Sequence, residues 1–209
     1  MLRWREAKAF ALVLGVVLIL GSVLSASATA SPVWKFNGSE LTGKKETIVG
    51  DATLSSLAIP SLTTTCKKMH YEMNISNSAG TGSGEFSALS FTTCFTSDPE
   101  CTVKTIGAEK LPWAAHLATV SSIPYIVLEG VKIGIVYGGA ACPLGGVLIT
   151  VTGSAGALYD NTSETFAFNL SNFKATKTSL KALGSAIEWQ GVFTTEAIGP
   201  HNGEALTTS

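Results

Sequence analysis

From Lys68 to Ser76 the chain alternates without a break. Met69, Tyr71, Met73 and Ile75 are apolar, and Lys68, His70, Glu72, Asn74 and Ser76 between them are polar. Period two places one set on each face of an extended strand, so this stretch predicts an antiparallel sheet with one wet side. Similar alternation marks strands at 52–59, 85–96, 101–106 and 113–120. It marks others at 125–137, 147–159 and around Phe166, Phe168 and Leu170, and a last one carries Ile187, Trp189 and Phe193. Glu129-Gly130 interrupts the 125–137 run as a tight turn or a bulge. NSAGTGSG (77–84) is expected to be a long flexible hairpin tip, and TSLKALG (178–184) one helical turn. The stripe Gly153, Ala155, Ala157 implies close approach by another backbone or a large side chain. Short strands at regular spacing predict an all-β fold, an antiparallel sandwich of roughly 8–10 strands, with a barrel as the alternative.

The ends of the chain read differently. Arg3, Arg5 and Lys8 precede an uncharged run from Ala9 to Leu24, and Ala28 and Ala30 stand at the −3 and −1 positions of an A-x-A site. Residues 1–30 therefore read as a signal peptide cleaved between Ala30 and Ser31. The competing reading is a signal-anchor helix, for which the run is short against the ~20 residues that span a bilayer. The domain is then 31–198, and the polar segment 199–209 is expected to be a disordered tail. Secretion to the extracellular space or the cell envelope follows, with membrane contact only before cleavage.

Cleavage removes Arg3, Arg5, Lys8 and Glu6 and leaves eleven lysines against fourteen acids, a net charge of −3 with no arginine. A nucleic-acid partner is discounted, because such proteins carry basic surfaces and use arginine to read phosphate and guanine. Cys66, Cys94, Cys101 and Cys142 are an even set in an exported chain and predict two disulfides. The preferred pairing is Cys94–Cys101, across SDPE, with Cys66–Cys142. The alternative notes that residues 66 and 94 are symmetric about residue 80 and would face each other in a regular hairpin, leaving Cys101 with Cys142.

No constellation makes a convincing catalytic or metal site. GTGSG (80–84) joins two strands and lacks the helix that a phosphate cradle needs. TGSAG (152–156) fails the G-x-S-x-G spacing, so Ser154 is not read as a nucleophile. His70, His116 and His201 show no clustering with an acid and a hydroxyl. Cys66-x₃-His70 lacks the four-ligand spacing of zinc. Glu72, Glu85, Glu129 and Glu188 are the carboxylates a glycosidase pair would draw on. Trp34, Trp113 and Trp189 are a sugar platform on one reading and core on the other. Asn37, Asn74, Asn161 and Asn169 begin N-x-[ST] sequons that a chain rich in Ser and Thr contains by accident. The apolar, Gly-rich region 130–159 has the length of a membrane β-hairpin but no aromatic girdle, and is read as central strands of a soluble fold.

TTCFTSDPECTV (92–103), then LPWAAHL (111–117), then AACPLGG (140–146) leading to ITVTGSAG (149–156) make the chain resemble uncharacterised exported all-β proteins of actinobacterial type. The resemblance covers most of residues 31–200. It implies a secreted or envelope-associated β-domain and supplies no activity, cofactor or site residue. Three functions follow in order. The first is a non-catalytic, disulfide-stabilised binding or structural module without cofactor or metal. The second is a carrier of a small apolar ligand in a barrel or cleft. The third is a secreted hydrolase, which needs His70 or His116 beside an acid and a Ser or Thr.

Overall fold

A computed structural model describes residues 31–120, 122–168 and 179–209. Residues 1–30, expected to be a signal peptide, and Asn169 and Leu170 lie outside the described residues. Among those described, the regular structure is all strand. In chain order these are β1 (Trp34–Phe36), β2 (Ser39–Glu40), β3 (Glu46–Ile59), β4 (Leu62–Ser78), β5 (Thr81–Thr96), β6 (Thr102–Ala108), β7 (Trp113–Val120) and β8 (Ile123–Gly138). There follow β9 (Leu148–Asp160), β10 (Thr165–Phe168), β11 (Lys181–Ala182), β12 (Ser185–Ala186), β13 (Glu188–Thr194), β14 (Glu196–Ile198) and β15 (Leu206–Thr208).

Eight strands of the main sheet pair antiparallel in chain order, from β3 through β4, β5, β7, β8, β9 and β10 to β13. β13 then pairs with β3, which closes the ring. Of the two arrangements that alternation allows, the described strands therefore form an eight-stranded up-and-down barrel rather than a sandwich. β6 and β7 act as one interrupted strand. β7 pairs with the first half of β8, β6 with the second, and Leu111–Pro112, a cis peptide, lies in the break.

The long hairpin from β4 to β5 turns through two residues only, Ala79 and Gly80, both at positive φ as such tight turns require. The flexible tip expected over 77–84 is thus mostly ladder. The glycines beyond the turn lie in the strand because other atoms occupy the space of a side chain. A Cβ on Gly82 would stand 2.8 Å from Leu117 Cγ and 3.1 Å from Trp34. The helical turn expected over 178–184 is instead the β11–β12 hairpin, turning at Leu183-Gly184. β11 pairs with β9, and the backbone of Ser179 fills the space beside Gly153, the close approach that the small-residue stripe implied. At Gly130 the registers on either side differ by one residue, so the interruption is a bulge.

Alternation also slips at one height on neighbouring strands. Thr53-Leu54, Lys67-Lys68 and Thr92-Thr93 are each exposed in succession, and Leu54 and Thr93 have positive φ. Glu129-Gly130 does the same on β8. Each strand spends two residues outward here and then resumes with its buried set inward: Ser55, Cys66 and Val131 follow or precede the slip. The core thereby stays continuous above and below this waist.

Aromatic rings fill the middle. Trp113 stacks on Phe86 and Phe86 on Tyr71, and Tyr71 meets Phe166 and Phe193 edge-on. Phe193 in turn meets Phe168 and Trp189. The hydroxyls inside this core are paired: Tyr71 with Thr195 at 3.0 Å, Tyr137 with Thr64 at 2.7 Å, and Ser55 with the Trp189 indole at 3.1 Å. Burial pushes the phenols of Tyr71, Tyr137 and Tyr159 up from their ordinary range.

The disulfides are Cys66–Cys94 and Cys101–Cys142, not the pairing preferred from the short SDPE loop. The β4–β5 register sets Cys66 directly opposite Cys94, and their Cα atoms are 3.9 Å apart. Cys101, at the start of β6, then meets Cys142 in the loop after β8. Two disulfides fit an oxidising, extracellular environment.

Candidate functional site

The segment 199–209 is ordered rather than a free tail. β15 pairs with β1, which also pairs with β2, and this small sheet is separate from the barrel ladder. Alternation was present there too: Leu206 and Thr208 are buried and Thr207 between them is half-buried. Three asparagines tie the small sheet down. Asn77 accepts the Trp34 N–H at 2.8 Å and donates to the carbonyls of Trp34 and Leu41, both at 2.9 Å. Asn161 accepts the Thr208 N–H at 2.7 Å and donates to its carbonyl at 2.9 Å. Asn37 accepts the Ala205 N–H at 3.2 Å.

Beside this cap lies an open cleft of about 550 Å³. The turn Asn37-Gly38, both residues at positive φ, reverses β1 into β2 and fixes Phe36 at its base. A second Asn-Gly turn, at 202–203, presents His201. The His201 ring stacks on Phe36 with centroids 4.3 Å apart and planes 3° from parallel. His201 Nδ1 is 3.0 Å from Glu204 Oε2, and Nε2 is 3.9 Å from Glu46 Oε1. Leu41 completes the apolar floor, and Ser39, Glu40, Thr42 and Lys44 form the rim. The carboxylate of Glu46 is mostly buried, with a side chain only 12% exposed. A flat floor with charged and hydroxyl groups at its edge is suited to holding a small molecule. The two glutamates sit on opposite nitrogens of one imidazole, so they do not converge on a common point as metal ligands would. Among the described residues neither Ser39 nor Thr42 hydrogen-bonds to His201.

The other histidines face outward on the barrel wall. His70 is 3.1 Å from Asp51, which Lys68 also approaches at 3.5 Å. His116 is 3.6 Å from Glu129. Each has an acid beside it, the first half of what a hydrolytic site requires. Ser90 lies opposite His70 across the β4–β5 ladder, and Ser83 opposite His116 across β5–β7. Among the described contacts neither serine hydrogen-bonds to its histidine, and the Ser83 hydroxyl donates to the Ser76 carbonyl at 3.2 Å. Ser154 stands mid-strand in β9, and its carbonyl accepts the N–H of Ser179 at 2.9 Å.

The remaining candidates are dispersed. Cys66 is buried in its disulfide while His70 points out. Glu85 pairs with Lys45 at 2.8 Å, Glu188 accepts from Gln190 at 3.2 Å, and Glu72 lies on the exposed side of β4. Trp34, Trp113 and Trp189 are fully buried, so they form core rather than a sugar platform. The cleft itself escaped sequence reasoning, because residues 199–209 lack a hydrophobic run. The two Asn-Gly turns flanking Phe36 and His201 were the available signal. Comparison with known proteins finds no matching family model, curated protein or solved structure.

Proposed function

We propose that this is a secreted, non-catalytic binding module of the extracellular space or cell envelope, and that the cleft of Phe36, His201 and Glu46 is its ligand seat. The observation that carries the reading is the seat itself: a stacked Phe–His floor held by two turns and bordered by carboxylates, with no hydroxyl among the described residues hydrogen-bonded to the imidazole. Such a site binds by shape and hydrogen bonding rather than by bond-making. Native mass spectrometry of the protein collected outside the cell tests it. A reproducible non-covalent adduct, lost in His201→Ala and Glu46→Gln, is the expected result. Turnover of a generic ester or glycan by clean protein, abolished by a single substitution, would overturn it.

A second reading, a carrier of a small apolar ligand, is favoured by the barrel closure. Eight strands leave an interior wide enough for side chains or one small ligand. Described aromatic rings occupy the middle of that interior, so a guest needs a place where a ring is able to leave.

A further inference from the structure

We propose that Trp34 is a built-in stopper: its indole occupies an aromatic seat at the mouth of the barrel that a flat ring with one N–H donor takes when the terminal cap lifts. The proposal rests on the carrier reading, and because Phe36 and Ser39 of the cleft belong to the cap, lifting the cap opens the cleft as well.

Trp34 belongs to β1, which is outside the barrel ladder, yet its side chain is fully buried among barrel residues. The indole meets Tyr159 of β9 edge-on at 6.0 Å and Phe166 of β10 edge-on at 6.4 Å. Gly82 of β5 lacks a side chain where the indole passes, and the space beside it is shared with Leu117. The indole N–H donates to the backbone carbonyl of Ser83 at 3.1 Å. A seat therefore exists with two aromatic walls, an aliphatic wall and one fixed acceptor. These are the elements by which a pocket recognises a planar heteroaromatic molecule.

The occupant is held so that it can leave as a unit. Among the described residues no β-ladder joins β1, β2 or β15 to the barrel. The links include the Asn77 and Asn161 amides, Tyr159 Oη donating to the Leu206 carbonyl at 2.7 Å, the Leu206 N–H donating to Glu164 at 3.1 Å, the Gly82 N–H donating to the Pro32 carbonyl at 2.8 Å, the indole bond to Ser83 and the approach of His201 to Glu46 of β3 at 3.9 Å. Releasing them withdraws the ring and leaves all eight barrel strands paired. The chain thus supplies its own ring to the seat, and an external ring competes with it.

Two measurements on the full mature protein test this. In hydrogen exchange of the wild type, the amides of Trp34–Phe36 and Leu206–Thr208 are expected to open at least about tenfold faster than those of Ile133 and Val151, as a sub-global unit does. In calorimetry, Trp34→Ala is expected to bind one indole. Benzofuran, which has the same shape without the N–H, is expected to bind about tenfold more weakly for want of one hydrogen bond to Ser83. Three results overturn the proposal: cap and barrel amides exchanging together, folded Trp34→Ala taking up no indole, or benzofuran binding as tightly as indole. Should Trp34→Ala not fold, the exchange experiment decides alone. Wild-type protein that always flies bare while Trp34→Ala takes indole selectively would sink the carrier reading but leave the seat established.

Discussion

The two mouths of the barrel are closed by different physics. At the mouth where β4 turns into β5, the cap of β1, β2 and β15 is held by side-chain amides and one buried indole. Toward the opposite mouth, Cys66–Cys94 and Cys101–Cys142 staple neighbouring segments covalently. The disulfides stabilise mainly by restricting the unfolded chain and need no close packing around them. The cap stabilises only while its contacts persist. One end is cross-linked along its wall whether or not its packing persists, and the other is held by contacts alone.

The largest test of this contrast removes the staples. Replacing all four cysteines by serine is expected to cost about 3–4 kcal/mol per bridge by the chain-entropy relation, for sequence separations of 28 and 41. Urea denaturation reads the loss, and exchange at the cap, which opens without unfolding the barrel, should stay unchanged. Next comes Trp34→Ala, expected to cost ~3–5 kcal/mol as a buried large-to-small change. Cap amides should still exchange faster than those of Ile133 and Val151, which speed up only by the loss of global stability. Cap amides as slow as Ile133 would show that the two ends are one cooperative unit.

Asn77→Ala should cost about 1–3 kcal/mol by leaving the backbone groups of Trp34 and Leu41 without partners. Asn77→Asp, which keeps the acceptor for the Trp34 N–H but turns a carboxylate oxygen toward the carbonyls of Trp34 and Leu41, should cost at least as much. The smallest effect is with pH. Tyr159 anchors the cap and its phenol is raised by burial, as is that of Tyr71. A folded-state value above the unfolded one contributes stability that is complete below the unfolded value, about pH 10, and is lost as pH climbs above it. Stability should therefore fall above about pH 10, and Tyr159→Phe should shallow that slope while costing about 1 kcal/mol at neutral pH for its bond to Leu206. An unchanged slope would remove Tyr159 from the account.

The barrel wall was legible because burial is one-sided. Met69 to Ile75 face the core and their neighbours face water, and the ladder obeys that pattern. Closure was not legible, since alternation is identical in a sandwich and a barrel, and the pairing of β13 with β3 joins segments more than a hundred residues apart. The disulfides show the same division. Symmetry about residue 80 contained the correct partner for Cys66, but the short SDPE loop competed with it until register decided. His201 was hidden for another reason: the cap buries isolated residues, Phe36, Leu206 and Thr208, on strands too short to show a period.

Trp34 pairs with Thr208. Contacts of such sequence separation carry a large loop-closure entropy. The β3–β4 and β4–β5 hairpins join neighbours in the chain, whereas Trp34 has its seat only where β5, β9 and β10 are all in place. A buried indole is therefore a reporter of a finished wall.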